Sequence, residues 1–293
     1  MQLAQAVVGT NITVERVPEG VSTIVYRLRR RDACFYLRVL PEVDASFAPE
    51  VYVHHVLRER GLHIPKVIYF EHRNAVLERS VMITTEITGL PIGYGAPSAS
   101  LRMAVRQAGR EQAVINSVLV QGFGWINRMT AQITHLRGEY DDYATWLQQE
   151  FSPMIAALGV YAPLAAYVSP FKDVMEEAVA LFGADRAVLA HGDFDPTHIF
   201  HRNGAYTGII DFGEIRGAQP LYDLGHFTIE HGELLPDLLE GYAEIAALPS
   251  DYRRRIDLAG LLIAAYRVGR RVIQHAEQYQ PYVQFIQQSL NTL

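Results

Sequence analysis

The chain has 293 residues, 49% of them hydrophobic, and carries 26 Lys and Arg against 32 Asp and Glu, for a net charge of −6. That length suits one large domain or two modest ones with a sizeable core, and the acidic balance argues against nucleic acid as a partner. The lone cysteine, Cys34, excludes disulfides within the chain and a thiolate metal cluster. Apolar runs such as LAGLLIAAY fall well short of the roughly 18 residues of a membrane span, and the opening MQLAQAVVGT lacks a basic start and a long apolar run. The expectation is a cytoplasmic protein with no membrane partner. Charge is unevenly divided: +1 through Glu86 and −7 beyond it, which permits a cationic substrate for the second part.

In chain order, residues 11 to 86 read as short strands and turns. TIVYRL, the polar turn RRRD and ACFYLRV predict an antiparallel hairpin rich in β-branched and aromatic residues. Pro49 to Arg60 predicts a helix with Val51, Val56 and Leu57 on one face and Gly61 closing it. HIPKVIYFEHRNAVLERSVMITTEI supplies three more strand candidates, divided by His72-Arg73-Asn74 and Glu78-Arg79, so this part is expected to hold five strands and one helix. GLPIGYGAPSAS reads as a hinge. Beyond it, amphipathic helices are expected over 101–120, 141–158, 161–183, 233–246, 251–272 and 275–289. The organisation is therefore α+β: a small antiparallel β lobe over 1–86, a connector over 87–95 and a larger, mostly helical lobe over 96–293.

The chemistry lies between those helices. Ala187 to Ala190 predicts a short buried strand that delivers His191-Gly192-Asp193 into a loop, where Asp193 can meet a substrate hydroxyl. His198 follows as a metal-capable side chain. The turn at Asn203-Gly204 and the strand YTGII then present Asp211 just before Phe212-Gly213. Phosphoryl transfer asks a protein mainly for positioning: one group to orient the attacking oxygen, and ligands for magnesium bridging the phosphates. This stretch carries both kinds of group. Zinc is the competing chemistry, since His191, His198 and His201 cluster with Asp193, but no H-E-x-x-H spacing repeats on one helix face.

H-G-D, a metal ligand after four intervening residues and then I-D-F-G together resemble the aminoglycoside phosphotransferase family, with some similarity to macrolide phosphotransferases at His198. The resemblance implies a protein-kinase-like, two-lobed fold and Mg²⁺-dependent transfer of the γ-phosphoryl group of ATP or GTP to a hydroxyl of a small molecule. An aminoglycoside-type antibiotic is the first acceptor to expect. In that reading Asp193 is the base, and His198 and Asp211 hold the metal. Arg38 stands where the family usually has lysine, paired with Glu50. Gly20 and Ser22 lie in a phosphate-covering loop, and Glu86, Ile87 and Thr88 lie against the purine. The acids Asp141, Asp142, Glu150, Glu230 and Glu233 are candidates for an acceptor pocket, although acids also solvate helix ends. Gly122 to Trp125 resembles a loop of some antibiotic phosphotransferases, or serves core packing. Asp223 resembles the family's buried acid that steadies the site loop. A macrolide, a sugar or an amino alcohol is an alternative acceptor. The departures at Arg38 and His198 also suggest another class, a nucleotide-binding pseudokinase that regulates a partner.

Overall fold

The computed structural model describes residues 2–18, 23–31, 33–93, 98–271 and 279–291. Gly20, Ser22, part of the expected connector and the start of the last expected helix lie outside the described residues. The first lobe is built on one antiparallel sheet of β1 (Thr13–Val17), β2 (Ile24–Arg30), β3 (Ala33–Val39), β4 (Val67–Glu71) and β5 (Val81–Thr85), in the order β1-β2-β3-β5-β4. A short helix, α1 (Gln2–Val8), packs Ala4 and Val8 against Leu28 and Ile83 of this sheet. The central strand is β3, and its Arg38 pairs in register with Val25 on one side and Met82 on the other.

Helix α2 (Ala48–Glu59) crosses between β3 and β4, with a proline in its first turn, where the missing N–H costs nothing. Its buried face is Pro49, Glu50, Val53, His54 and Leu57 rather than the expected stripe through Val51 and Val56, which are only partly buried. The apolar pattern misleads here because the Glu50 carboxylate turns inward to meet Arg38. The three strands expected between His63 and Ile87 are two. Residues 75–77 form a turn instead, because the Asn74 carboxamide oxygen accepts from the backbone N–H groups of Val76 at 3.1 Å and Leu77 at 3.0 Å, an Asx turn that competes with extension.

The connector enters β6 (Leu90–Pro91), followed by α3 (Ala99–Ile115), whose N-cap is Ser98. The strands β7 (Phe123–Ile126) and β8 (Gly138–Tyr140) come next, and Gly122 to Trp125 is thus mostly strand. Helix α4 (Tyr143–Trp146), a π turn over Leu147–Phe151 and α5 (Ser152–Ala157) replace the single helix expected over 141–158. The helix expected over 161–183 is only α6 (Phe171–Phe182), because Pro163 and Pro170 oppose helix in its first half. Then come β9 (Val188–Ala190), β10 (Ile199–Arg202), β11 (Ala205–Ile209) and β12 (Arg216–Ala218). The chain ends in α7 (Tyr222–His231), α8 (Leu235–Ala243), α9 (Tyr252–Arg271) and α10 (Gln280–Asn291). One small sheet has the order β11-β10-β6, tying the connector to the site hairpin, and another the order β8-β7-β12-β9. Among the described residues no helix is long and apolar enough to cross a membrane.

The second lobe is a helical core around these small sheets. Its tightest crossing joins α3 to α8, where a Cβ at Gly241 would lie 1.8 Å from the Arg106 carbonyl oxygen and one at Gly109 2.1 Å from that of Leu238. Arg102, Arg106 and Arg110 run beside it and pair with Asp237, Glu240 and Glu244. Gly241→Ala should lower unfolding stability by about 1–3 kcal/mol through overpacking, against a helix-propensity gain of about 1 kcal/mol. Urea denaturation measures the balance, and an unchanged or raised midpoint would mean that the two helices have room to separate.

Candidate active site

The site loop leaves β9, whose three residues are buried, and is held from behind by one acid. Asp223, fully buried in the first turn of α7, accepts from the N–H groups of His191 and Gly192, both at 2.8 Å, and from the Gln112 side chain at 2.6 Å. Burial raises its pKa, while His191 and the donated hydrogen bonds oppose the rise. Gly192 has φ +87°, and a Cβ there would lie 1.9 Å from the Glu214 carbonyl oxygen, so this position in H-G-D requires glycine. His191 Nε2 donates to the Ile210 carbonyl at 2.9 Å, which leaves Nδ1 to accept from the Asp193 N–H at 3.3 Å. One imidazole thus joins the H-G-D loop to the strand end before Asp211. Beneath it lies the buried Phe212 ring, 4.7 Å from His191 and 5.3 Å from His54 between centroids.

Asp211 sits in the left-handed region, φ 66°, and its Oδ1 accepts from the Gly213 N–H at 3.3 Å. His198 Nδ1 donates to the Asp193 carbonyl at 2.7 Å, which directs Nε2 to within 3.9 Å of Asp211 Oδ2. That separation and the pairing of an imidazole nitrogen with a carboxylate oxygen fit two ligands of one divalent cation. Asp195 stands on the other side of the imidazole, its Oδ2 3.8 Å from His198 Nδ1, and ligand atoms of Asp193, Asp195 and His198 all lie within 4.8 Å of one another. Burial lowers the pKa of His198, but the carboxylates of Asp195, Asp193 and Asp211 outweigh it and raise the pKa overall. Asp195 was not among the expected site residues. The only trace of it in sequence is a second acid in HGDFDP, where its Oδ1 also accepts from the Thr197 N–H at 2.6 Å in an Asx turn. The zinc alternative loses His191, both of whose nitrogens are engaged by backbone, and the cluster of potential ligands holds His198 but not His201.

Asp193 Oδ1 is bound by a residue that sequence reasoning missed. Arg267, on α9, places Nη2 2.8 Å from Asp193 Oδ1, 3.0 Å from the Gly192 carbonyl and 3.0 Å from Glu214 Oε2. His226 Nε2 lies 3.9 Å from the same Asp193 oxygen and 3.2 Å from the Tyr282 hydroxyl. Burial and the neighbouring Arg267 and Arg216 push the pKa of His226 well down, so it stays neutral and is no ion-pair partner. Arg216 reaches Glu214 Oε2 and the Tyr222 hydroxyl, both at 3.1 Å, and stacks 4.3 Å above the Trp125 ring. Of the residues expected near an acceptor, Trp125 is therefore engaged with Arg216, and Phe123 is buried in the core.

On the other lobe, Arg38 donates to Glu50, lies over the Phe47 ring and brings Nη2 to 3.7 Å from Asp211 Oδ1. The Glu86 N–H is engaged by the Cys34 carbonyl at 3.2 Å, and its side chain accepts from Tyr36 at 3.4 Å; Ile87 and the exposed Thr88 follow in the connector. Among the acids, Asp142 caps α4, Asp141 pairs with Arg137, and Glu150 interacts with Tyr140. Glu233 is near His231. Glu230 lines a cavity between α7 and α10, described below.

These two lobes, with a base loop and a metal-capable pair at their junction, define a kinase-like phosphotransferase. The profile of the phosphotransferase enzyme family matches residues 13–258, and the chain belongs to that family. No curated protein matches it in sequence. Among solved structures it is similar to a thermostable mutant of aminoglycoside phosphotransferase APH(4)-Ia in a ternary complex with ADP and hygromycin B, at 18% identity and TM-score 0.67, covering 98% of this chain and 97% of that one. A putative fructosamine-3-kinase from Thermobifida fusca is 17% identical, TM-score 0.66, covering 99% and 98%. Macrolide 2'-phosphotransferase MphH from Brachybacterium faecium is 14% identical, TM-score 0.63, covering 96% of each.

The Arg38–Glu50 pair yields a pH test. Burial raises the pKa of the Glu50 carboxyl, but Arg38 and His54 outweigh that and lower it from 4.5 to about 2. A carboxyl whose pKa is lower in the folded state stabilises the protein above its unfolded value, and that contribution is lost as pH falls from about 4.5 towards 2. Arg38→Met strands the Glu50 charge and should cost about 3–5 kcal/mol near neutral pH. It should also remove the Glu50 contribution to the stability loss between pH 4.5 and 2. Urea midpoints across that range test this, and parallel pH curves for mutant and wild type would contradict it.

Proposed function

We propose that this protein transfers the γ-phosphoryl group of ATP or GTP to a hydroxyl of a small, amine-bearing acceptor, with aminoglycoside-type antibiotics as the leading class. The observation that carries the reading is the junction of Asp193 with the His198 and Asp211 pair, whose facing donor atoms are 3.9 Å apart. Asp193 accepts the proton of the acceptor hydroxyl as that oxygen bonds to the γ-phosphorus. The bond from phosphorus to the bridging oxygen breaks, and the nucleoside diphosphate leaves. His198 and Asp211, with Asp195 at hand, would hold Mg²⁺, which when bound neutralises charge on the phosphate oxygens. Arg38 faces the phosphates from β3, oriented by Glu50, with a fork of donors in place of a lysine's point charge. The purine meets the connector backbone near Ile87 and Thr88.

The acceptor side is supported by a cavity of about 330 Å³ lined by Ile229, Glu230, Pro281, Gln284, Phe285 and Gln288 of α7 and α10. Glu230 is four residues beyond His226 on α7, one turn or about 6 Å along the helix from the residue beside Asp193. Partial burial, then the Asp195 charge, raises the pKa of its carboxyl, so a cation seated there relieves repulsion as well as gaining a partner. A single carboxylate beside amides and a phenyl ring suits an acceptor with few amines and several hydroxyls. The aminoglycoside enzyme solved with ADP and hygromycin B supports this class. A macrolide is the second reading, favoured by His198 and by that enzyme's likeness in fold.

Nucleotide turnover should be screened with aminoglycosides, macrolides and amino sugars, at low and high salt. Asp193→Asn should lower kcat by about 10²- to 10⁴-fold with nucleotide affinity retained. Turnover confined to neutral acceptors would reject the amine-bearing class, and the absence of turnover with every acceptor would favour a nucleotide-binding regulator instead. Glu230→Gln should raise KM for an amine-bearing acceptor by about 10- to 100-fold, the range for losing a charged hydrogen bond, with KM for nucleotide unchanged. Equal effects on both substrates would place Glu230 outside the acceptor pocket.

A further inference from the structure

We propose that Arg267 is the positioning residue of the reaction: from α9 it fixes Asp193 by one carboxylate oxygen and fastens the base loop to the turn after Asp211. The inference rests on the proposed function. One guanidinium nitrogen, Nη2, donates to the Gly192 carbonyl, to Asp193 Oδ1 and to Glu214 Oε2, at 2.8–3.0 Å. Two of those acceptors belong to the H-G-D loop. The third follows directly on Asp211-Phe212-Gly213, so a single cation spans the segments that carry the base and the metal-capable acid.

Its own footing is rigid. Residues 258–266 of α9 are buried, and at Gly269 a Cβ would lie 2.2 Å from the Met154 carbonyl oxygen of α5, so the helix is pressed against its neighbour just beyond Arg267. The second arginine in the cluster, Arg216, holds Glu214 from the other side at 3.1 Å. Two arginines thus face two carboxylates, and Asp193 is not the only anion the cluster neutralises. Arginine remains charged throughout the working pH range and presents a planar set of donors. With Oδ1 engaged by Arg267 and faced by His226, Oδ2 is the atom left to accept the hydroxyl proton. The structure therefore assigns Asp193 Oδ2 as the proton-accepting oxygen.

The test uses Arg267→Ala and Arg267→Lys with the full-length protein and the best acceptor from the screen. Arg267→Ala should lower kcat by about 10- to 100-fold, the effect of removing a charge-assisted hydrogen bond, with KM for nucleotide within about threefold. Ethylguanidinium added to Arg267→Ala should recover several-fold of that loss and do nothing for Asp193→Asn. Arg267→Lys keeps the charge and should retain more activity than the alanine variant. Rescue and a kcat effect separated from KM are not expected of a residue that only supports the fold, and thermal unfolding of both variants is measured alongside. Wild-type kcat in Arg267→Ala, or a loss that ethylguanidinium leaves untouched while the protein remains folded, overturns the proposal. A crystal structure of Arg267→Ala reads the same point without turnover. A displaced Asp193 carboxylate supports the proposal and an unmoved one overturns it, whereas a wild-type protein that phosphorylates no acceptor counts against the proposed function alone.

Discussion

The site depends on one buried carboxylate that takes no part in the chemistry. A loop that must hold Asp193 towards an incoming hydroxyl leaves the His191 and Gly192 N–H groups facing inward, where an unsatisfied donor is costly. Asp223 accepts both, and its place in the first turn of α7 puts a negative charge where a helix N-terminus favours one. The same helix then carries His226 beside Asp193 and, one turn on, Glu230 in the cavity wall. Loop position, the surroundings of Asp193 and the wall of the proposed acceptor pocket are consequently set by a single helix, with Gln112 of α3 also binding Asp223.

The two lobes meet through arginines. Arg38 links the central strand of the first sheet to α2 through Glu50 and approaches Asp211 from above. Arg128 donates to the Gly213 carbonyl, and its own carbonyl accepts from the Ser46 N–H at 2.8 Å, so the segment before α2 is hydrogen-bonded to the turn after Asp211 through a single residue. With only two lysines in the chain, both outside the site, planar guanidinium groups take the bridging roles. A guanidinium can face two acceptors at once, which an ammonium on a flexible stem does less well.

Legibility in the sequence followed how local each feature was. The strand of Val188 to Ala190 and the hairpin through Asn203-Gly204 that presents Asp211 were readable because turn chemistry and β-propensity act over a few residues, whereas the left-handed backbone of Asp211 left no mark in the sequence. The Arg38 and Glu50 pair was readable through the family resemblance, which marks the third strand and the helix after it, rather than from any local pattern. Arg267 was not: it stands 74 residues from Asp193, in an arginine-rich helix where nothing local distinguishes it from a solvated side chain. Glu50 shows the complementary error, since its inward turn moved the buried face of α2 away from the stripe the apolar residues implied. Residues 75–77 show a third, where a side-chain amide captured backbone donors that a strand would have needed.

The carboxylates at the site share one arrangement. Asp211 has Oδ1 bound to the Gly213 N–H and faced by Arg38, while Oδ2 points at His198. Asp193 has Oδ1 bound by Arg267. Asp195 has Oδ1 occupied by Thr197 and Oδ2 towards His198. In each, one oxygen is fixed by the protein, and in Asp193 and Asp211 the other is the one left for an incoming group. A carboxylate held by one oxygen loses its freedom to rotate before the substrate arrives, so little reorganisation remains for the moment of transfer. The fixing groups differ in kind: a backbone amide, an arginine from α9 and a threonine turn. The constraint is therefore geometric rather than a matter of any single residue type, and a kinase-like site can depart from lysine and asparagine at positions 38 and 198 while still holding its carboxylates in place.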